Sequence, residues 1–208
     1  MERELKYLLE HPVAPQLPDV FHLSAPEPTQ HLVDEYIDDR GRIAASGHRL
    51  RRRHSDHAGV VYTLKSTGRI AGGPLFERTE IEVAAEPDES IPTSLLTELS
   101  RLGVELPHAQ GDLQTSLILR QERHPATLFW RDQQIALLSV DQVRASTPAL
   151  SDEHGWSELE IEYVPTVDPN ERQLTAQLLS EWLVKQHGIT TTSETKADRA
   201  ARLLGVSV

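Results

Sequence analysis

The sequence predicts an α+β fold: an eight-stranded antiparallel β-barrel that closes on itself, with helices along its flanks. Segments in which polar and apolar residues alternate with period two recur along the 208-residue chain, which is typical of strands. Glycines such as Gly41, Gly47 and Gly59 separate several of these segments. Helical spacing appears in only three places. Many short strands with a few helices at their margins favour a closed antiparallel sheet.

The first predicted strand covers residues 2–9, where charged and apolar residues alternate before the prolines that follow break regular structure. The same alternation predicts the remaining strands at 32–38, 49–54, 59–66, 75–83, 114–122, 126–131, 134–140 and 157–164. We expect mobile loops at 66–75 and 145–155.

The three predicted helices cover residues 92–103, 170–187 and 194–204. The first two carry leucines at helical spacing, which gives each an apolar side. Gly188 is a stop signal for the second helix, because glycine adopts the left-handed conformation common just after a helix. The hydroxyl of Ser193 is a candidate cap for the third helix.

Composition narrows the class of protein. A chain of this length suits one domain, which we expect to cover residues 1–208. Without cysteine it has no disulfide, no thiolate metal site and no cysteine nucleophile. The net charge of -11 argues against broad nucleic-acid binding. No apolar run is long enough to cross a membrane, so we expect a cytoplasmic protein with neither nucleic-acid nor membrane partners.

Charged residues occupy the same face of four predicted strands, because residues i and i+2 of a strand point to one side. These rows are Glu2, Glu4 and Lys6; Arg49, Arg51 and Arg53; Arg78, Glu80 and Glu82; and Glu158, Glu160 and Glu162. For a single strand the usual interpretation is a solvent-exposed face. Blocks of like charge repel, however, and four such blocks favour an interior where opposite charges or a ligand lie between them.

Carboxylates that converge in such an interior need a cation to be stable. Oxygen ligands without cysteine or a histidine pair favour Mg²⁺ or Mn²⁺ over Zn²⁺. The acidic residues concerned are Glu2, Glu4, Glu158 and Glu160. Basic residues on the facing strands would bind phosphate oxygens, namely Arg51, Arg53, Lys65 and Arg123. The two sets together predict a polyphosphate site.

Seven segments resemble, in order, the motifs of the CYTH family, also called triphosphate tunnel metalloenzymes. They are ERELK at 2–6, YIDDRGRIAASGHRLRRR at 36–53, TLK at 63–65, RTEIE at 78–82, SVDQVR at 139–144, ELEIE at 158–162 and SETKADRAARLLG at 193–205. The resemblance implies an eight-stranded tunnel open at both ends. Members of this family cleave inorganic triphosphate or thiamine triphosphate, and one branch cyclises ATP.

The resemblance also implies roles for individual residues. The implied metal ligands, for Mg²⁺ or Mn²⁺, are Glu2, Glu4, Asp141, Glu158 and Glu160. The implied substrate-binding residues are Lys6, Arg51, Arg53, Lys65, Arg78, Arg123 and Lys196. Those expected nearest the chemistry are Glu4, Lys6, Arg51 and Arg53. Arg120 and Arg123 are alternative candidates for one arginine of the family. The roles of Glu80, Glu82 and Glu162 stay open.

We therefore expect a metal-dependent hydrolase that converts inorganic triphosphate (tripolyphosphate) to diphosphate and phosphate, as a monomer or homodimer with a small-molecule triphosphate as its partner. The alternatives are a thiamine triphosphatase, a class IV adenylate cyclase and a non-catalytic polyphosphate-binding module. Trp130 and Trp156 are the candidate aromatic contacts for thiamine. Ser139 stands where some relatives have an acidic residue, which leaves the number of metal ions open. Thr195 stands where the family has a serine.

Overall fold

A computed structural model describes residues 1–56, 59–86, 89–104 and 113–206, except the side chains of 150–152. Its strands in chain order are β1 Glu2–Leu9, β2 Phe21–Leu23, β3 Gln30–Asp38, β4 His48–Ser55, β5 Gly59–Ser66, β6 Arg69–Ile70, β7 Phe76–Arg78, β8 Glu80–Ala85, β9 Gln114–Trp130, β10 Gln133–Thr147, β11 Leu150–Tyr163 and β12 Thr190–Thr191. Its helices are α1 Arg42–Ala45, α2 Thr93–Arg101, α3 Pro169–His187 and α4 Lys196–Leu204.

The strands pair in the antiparallel order β1, β11, β10, β9, β3, β4, β5, β8. β7 and β8 are consecutive in the chain and are separated only by Thr79. β7 pairs with β1, whereas β8 pairs with β5. The stretch from Phe76 to Ala85 therefore joins the two ends of the sheet, which confirms the predicted eight-stranded closed barrel with flanking helices.

Two helices cover the outside of the barrel. Leu159 and Ile161 of β11 and Leu5 of β1 are buried in a cluster with Leu179 and Leu183 of α3. On the opposite side, α2 buries its leucines against apolar residues of β4 and β5, in a cluster that contains Leu50, Tyr62, Leu64, Leu95 and Leu99. Since these side chains point outward, the residues that alternate with them point into the barrel.

The third packing helix, α4, lies on the inward face of the barrel at one end. Ala197 and Ala200 pack against Leu119 of β9 and Val143 of β10. These strand residues share a face with Arg123 and Asp141, since the spacing is even in both strands. The apolar contacts of α4 therefore hold its first residue, Lys196, at the edge of the charged interior.

The helix ends agree with the sequence prediction in one case and differ in another. Gly188 ends α3 in the left-handed conformation, with φ 62°, as predicted. The predicted cap Ser193 is wrong for α4, because the Thr195 hydroxyl accepts the hydrogen bond from the Asp198 backbone N–H. Thr195 lies two residues further along and directly precedes the first helical residue.

The long strands β9, β10 and β11 replace shorter predicted segments. Residues 114–122 and 126–131 form one strand through Pro125, and most of the expected loop at 145–155 is paired strand. Pro125 pairs with Ser139 of β10 on one side. Its other side lies between the pairings of β9 with β2 and with β3. A proline is tolerated there, since no ladder hydrogen bond needs its missing N–H.

None of the helices in the described residues has the length and apolar character needed to cross a membrane.

Candidate active site

The charged rows predicted from the sequence point into the barrel and surround one cavity of about 260 Å³. Its lining consists almost entirely of charged and hydroxyl side chains: Glu2, Lys6, Asp34, Tyr36, Arg51, Arg53, Lys65, Arg78, Glu80, Glu82, Arg123, Glu160, Glu162, Thr195 and Lys196. Three further predicted residues, Glu4, Asp141 and Glu158, are buried beside it. The barrel interior is therefore a polar site and not an apolar core.

One wall carries the guanidinium groups of β4, held by a carboxylate of β3. Asp34 accepts hydrogen bonds from Arg53 Nε at 2.6 Å and Nη2 at 2.7 Å, and from Gln121 Nε2 at 2.7 Å. Arg51 Nη1 lies 3.7 Å from the same carboxylate. Burial alone would raise the pKa of Asp34, but Arg51 and Arg53 hold it well below its usual range. Asp34 is thus ionised and fixes both arginines.

A second wall combines Lys6, Lys65 and Arg78. Lys65 pairs with Glu80, and Arg78 pairs with both Glu2 and Glu80. Burial, reinforced by the charges of Arg51 and Arg78, lowers the pKa of Lys65 to about 8. Arg51 and Arg78 thus crowd positive charge around Lys65, which favours an anionic ligand.

Lys6 has an ammonium group without a close carboxylate. Its Nζ lies 4.0 Å from Glu4 Oε1 and 4.9 Å from the centre of the Phe76 ring. Its side chain is only 1% exposed. A buried ammonium with weak pairing and a cation–π contact is available to a phosphate oxygen.

A third wall contains three carboxylates that surround the ammonium of Lys196. Its Nζ lies 2.9 Å from Asp141 Oδ2, 2.8 Å from Glu158 Oε1 and 2.7 Å from Glu160 Oε1. The contact with Glu158 Oε1 is an ion pair without hydrogen-bond geometry. Burial alone would lower the pKa of Lys196, but these carboxylates raise it above its ordinary value. Arg123 adds two bonds to Asp141, at 2.9 and 2.6 Å.

Glu4 is the buried carboxylate that lacks a strong partner. Its Oε1 makes no hydrogen bond, and the nearest cation, Arg78 Nη2, is 3.5 Å away. Burial and the nearby charge of Glu160 raise the pKa of Glu4 to about 8. The pKa of Glu162, its partner across the β1–β11 pair, is also raised, by burial and by Glu2.

These two carboxylates fit a divalent cation, because it would supply the positive charge that they lack. In the described part of the chain, this cavity included, no three acidic or histidine side chains already converge in an arrangement that would hold a metal ion. The metal-ligand roles of Glu2, Glu4, Asp141, Glu158 and Glu160 stay predictions.

Sequence comparison agrees with this geometry, since the profile of the CYTH domain matches residues 1–200. The chain belongs to the CYTH family. No curated protein matches it significantly in sequence.

Two solved structures share the fold of this CYTH domain. HpAC1 from Hippeastrum, named as an adenylyl cyclase and described as having a dominant triphosphatase activity, is 18% identical with a TM-score of 0.59 and covers 100% of this chain and 98% of its own. The PH1819 protein from Pyrococcus horikoshii OT3 is 15% identical with a TM-score of 0.55 and covers 98% of this chain and 99% of its own. These likenesses show the fold of the CYTH domain.

The structure brings the predicted site residues of this CYTH domain together and separates Arg123 from Arg120. Arg123 lines the cavity, whereas Arg120 lies outside, 3.7 Å from Glu153. Sequence reasoning missed Asp34. The signal was present, because a carboxylate at 34 shares a face with Tyr36 in a strand whose partner carries three arginines.

Proposed function

We propose that this CYTH-family protein is a divalent-metal-dependent triphosphatase that hydrolyses inorganic triphosphate to diphosphate and phosphate. One observation carries the proposal: a single cavity of about 260 Å³ has basic walls on one side and underpaired carboxylates on the other. A linear polyphosphate needs both, since its oxygens are neutralised by bases and by a carboxylate-bound cation.

The residues of the basic walls bind and orient the substrate. Arg51 and Arg53 present forked donors held by Asp34, and Lys6 adds a point charge on the neighbouring wall. Glu4 with Glu2 would hold Mg²⁺ or Mn²⁺, and the bound cation would supply positive charge to the phosphate oxygens and make a water molecule easier to deprotonate. The oxygen of the attacking water forms a bond to the terminal phosphorus and loses a proton to solvent, and the bridging P–O bond breaks with its electrons leaving on diphosphate. Positive side chains stabilise that developing charge.

The lining favours inorganic triphosphate over thiamine triphosphate. Tyr36 is the only aromatic residue among the described side chains that line the cavity. Trp130 is buried in the outer cluster under α3, and Trp156 donates its Nε1 hydrogen bond to Glu158 at 2.8 Å. Neither tryptophan offers a ring face to a thiazolium group in the cavity.

An adjoining pocket favours an organic triphosphate as the second candidate. It has a volume of about 150 Å³, contains Phe76, Ser66 and Thr67, and shares Tyr36, Lys65, Arg78 and Thr195 with the main cavity. A base or thiamine moiety attached to a bound triphosphate would extend into it. ATP and thiamine triphosphate therefore belong in the substrate panel, with cyclic AMP as the product that indicates a cyclase.

The test measures phosphate release from tripolyphosphate by the full chain with Mg²⁺ or Mn²⁺. We expect turnover, and a loss of at least about 100-fold in kcat/KM for Lys6→Ala. Lys185→Ala is the matched control, because Lys185 is exposed on α3 and pairs only with Glu181 among the described residues. No turnover, combined with thermal stabilisation by tripolyphosphate, would instead indicate a non-catalytic binding module.

A further inference from the structure

The carboxylates of Asp141, Glu158 and Glu160 are already neutralised by protein groups, although Glu158 Oε1 has only an ion-pair contact without hydrogen-bond geometry. Lys196 contacts one oxygen of each. Arg123 occupies both oxygens of Asp141 and Glu160 Oε2, and Trp156 Nε1 occupies Glu158 Oε2. All six oxygens therefore have a donor or an ammonium within 3.0 Å. A divalent cation would have to displace at least one of these groups.

Lys196 is fixed in this position by the anchoring of α4. It is the first residue of the helix, after the Thr195 cap, and Ala197 and Ala200 bury the next turn. A cation at a helix N-terminus is unfavourable, because the helix dipole is positive there. The three carboxylates offset that cost. The Lys196 side chain is only 9% exposed.

The neighbouring position on β10 adds no further carboxylate. Ser139 pairs with Glu160 across the β10–β11 ladder and is 8% exposed. A metal ion at this wall would therefore have no oxygen ligand from Ser139 except a neutral hydroxyl, which is a weaker ligand for Mg²⁺ or Mn²⁺ than a carboxylate.

Unpaired acidic groups lie one strand pair away, between β1 and β11. Glu4 and Glu162 are direct cross-strand partners. Glu4 Oε1 is buried without a hydrogen bond, and no ion pair joins Glu162 to another side chain among the described residues. Glu2 shares the inward face of β1 with Glu4, but it already accepts a hydrogen bond from Arg78. The negative charge of Glu4 and Glu162 is therefore not neutralised by close cations, and one divalent cation would neutralise it.

We propose that the Lys196 ammonium takes the place of a second divalent cation, so that the site uses one ion, held by Glu4 and Glu162. This inference rests on the proposed triphosphatase function and specifies its metal requirement. Lys196 then neutralises the carboxylates of the third wall whether or not substrate is bound. The phosphate oxygens of the substrate bind to Lys6, Arg51 and Arg53.

The test counts Mn²⁺ bound per full-length chain by calorimetry and by the electron paramagnetic resonance of free Mn²⁺. We expect one ion in the wild type. Glu4→Gln should weaken binding by at least about tenfold, whereas Asp141→Asn should leave the Kd within about threefold. Two ions in the wild type, or equal losses for both variants, would overturn the proposal.

Lys196→Met opens the third wall and should allow a second Mn²⁺ to bind, because three carboxylates then lack their ammonium. If it folds, as circular dichroism shows, and still binds one ion, the proposal is wrong. If it does not fold, the comparison of Glu4→Gln with Asp141→Asn decides. Hydrolysis of tripolyphosphate is measured in the wild-type preparation used for ion counting: turnover with two bound ions in the wild type overturns this inference alone, and one bound ion without turnover overturns the proposed function.

Discussion

At the scale of single residues, the site depends on side chains that hold the substrate-binding groups in place. Asp34 is 1% exposed and contacts Arg51, Arg53 and Gln121. Both arginines would repel each other on one strand face without a charge between them. Asp34 therefore acts as a positioning residue: it keeps two guanidiniums within one cavity and fixes the direction of their donors.

Replacing Asp34 by asparagine tests this role. We expect Asp34→Asn to lower kcat/KM for tripolyphosphate by about 100-fold, because misplacing binding groups by roughly 1 Å costs about that much. The free energy of unfolding at pH 7 should fall by about 3 kcal/mol, since a buried guanidinium loses its counter-ion. Steady-state kinetics and urea unfolding measure the two effects.

The pH dependence distinguishes the charge of Asp34 from its shape. Its folded-state pKa lies below the unfolded value, so its contribution is present above about pH 4 and is lost as pH falls. The stability gap between wild type and Asp34→Asn should therefore narrow below that pH. Glu35→Gln, in a partly exposed pair with Arg52, is the control and should change stability by less than about 1 kcal/mol at pH 7. A gap that stays constant with pH would contradict the charge role.

Glu4 should destabilise the metal-free protein at neutral pH. Its folded-state pKa of about 8 lies above the unfolded value, so the folded chain holds a proton that the unfolded chain has released. The wild type therefore loses stability as pH rises from about 4.5 to 8. We expect Glu4→Gln to be more stable than wild type by about 1 kcal/mol or more at pH 7.5 and equal to it near pH 4.5. Chemical unfolding without metal would refute this if the variant were less stable at both pH values.

At the scale of strands and helices, the alternation of charged and apolar residues predicted which side chains share a face, but it did not predict which segments contact one another. The period-two rows in β1, β4, β7–β8 and β11 each placed their charges on one face, because that property is local, and only the four rows together indicated that this face points inward. The continuity of β9 through Pro125 depends on neighbouring strands that leave its missing N–H unneeded. Likewise, the contact of Lys196 with Asp141 and Glu160 depends on the docking of α4 onto two strands. Neither is encoded within one segment.

Gly68 lies in the chain between β5 and β7 and packs closely against the ring of Phe76. A Cβ at this position would lie 1.8 Å from Cζ of Phe76. The Phe76 ring lies under Lys6, 4.9 Å from its ammonium. We expect Gly68→Ala to displace the ring, to destabilise the protein by about 1–3 kcal/mol and to raise KM for tripolyphosphate, because Lys6 loses its support. Thermal unfolding and steady-state kinetics measure these changes.

Gly155→Ala is the matched control for Gly68→Ala. Gly155 lies in β11, and a Cβ there would meet the Val143 backbone oxygen at 3.6 Å, an ordinary contact. This substitution should leave KM unchanged. If the two alanine variants behaved alike, the close approach of Gly68 to Phe76 would have no functional role.

At the scale of the whole molecule, the cavity lining has a higher ratio of basic to acidic side chains than the chain as a whole. The net charge is -11. The cavity nevertheless gathers seven basic side chains on its lining: Lys6, Arg51, Arg53, Lys65, Arg78, Arg123 and Lys196. The lining also holds six acidic side chains: Glu2, Asp34, Glu80, Glu82, Glu160 and Glu162. Closing the sheet through Phe76–Ala85 brings the two basic walls into one space, so one bound polyanion can contact both.

Ligand binding should therefore stabilise the entire barrel. At a tripolyphosphate concentration of about 100 times its Kd, we expect about 2.7 kcal/mol of stabilisation, which corresponds to a rise in Tm of roughly 5–10 °C.

The thermal scan needs a cation that supports binding without hydrolysis. Ca²⁺ is therefore first tested for turnover in place of Mg²⁺ or Mn²⁺. The cation and tripolyphosphate should each tighten binding of the other by the same factor, because coupling between two sites is reciprocal. Sulfate at equal ionic strength is the control. Equal shifts with sulfate and tripolyphosphate would mean that the interior responds to ionic strength and does not bind a triphosphate.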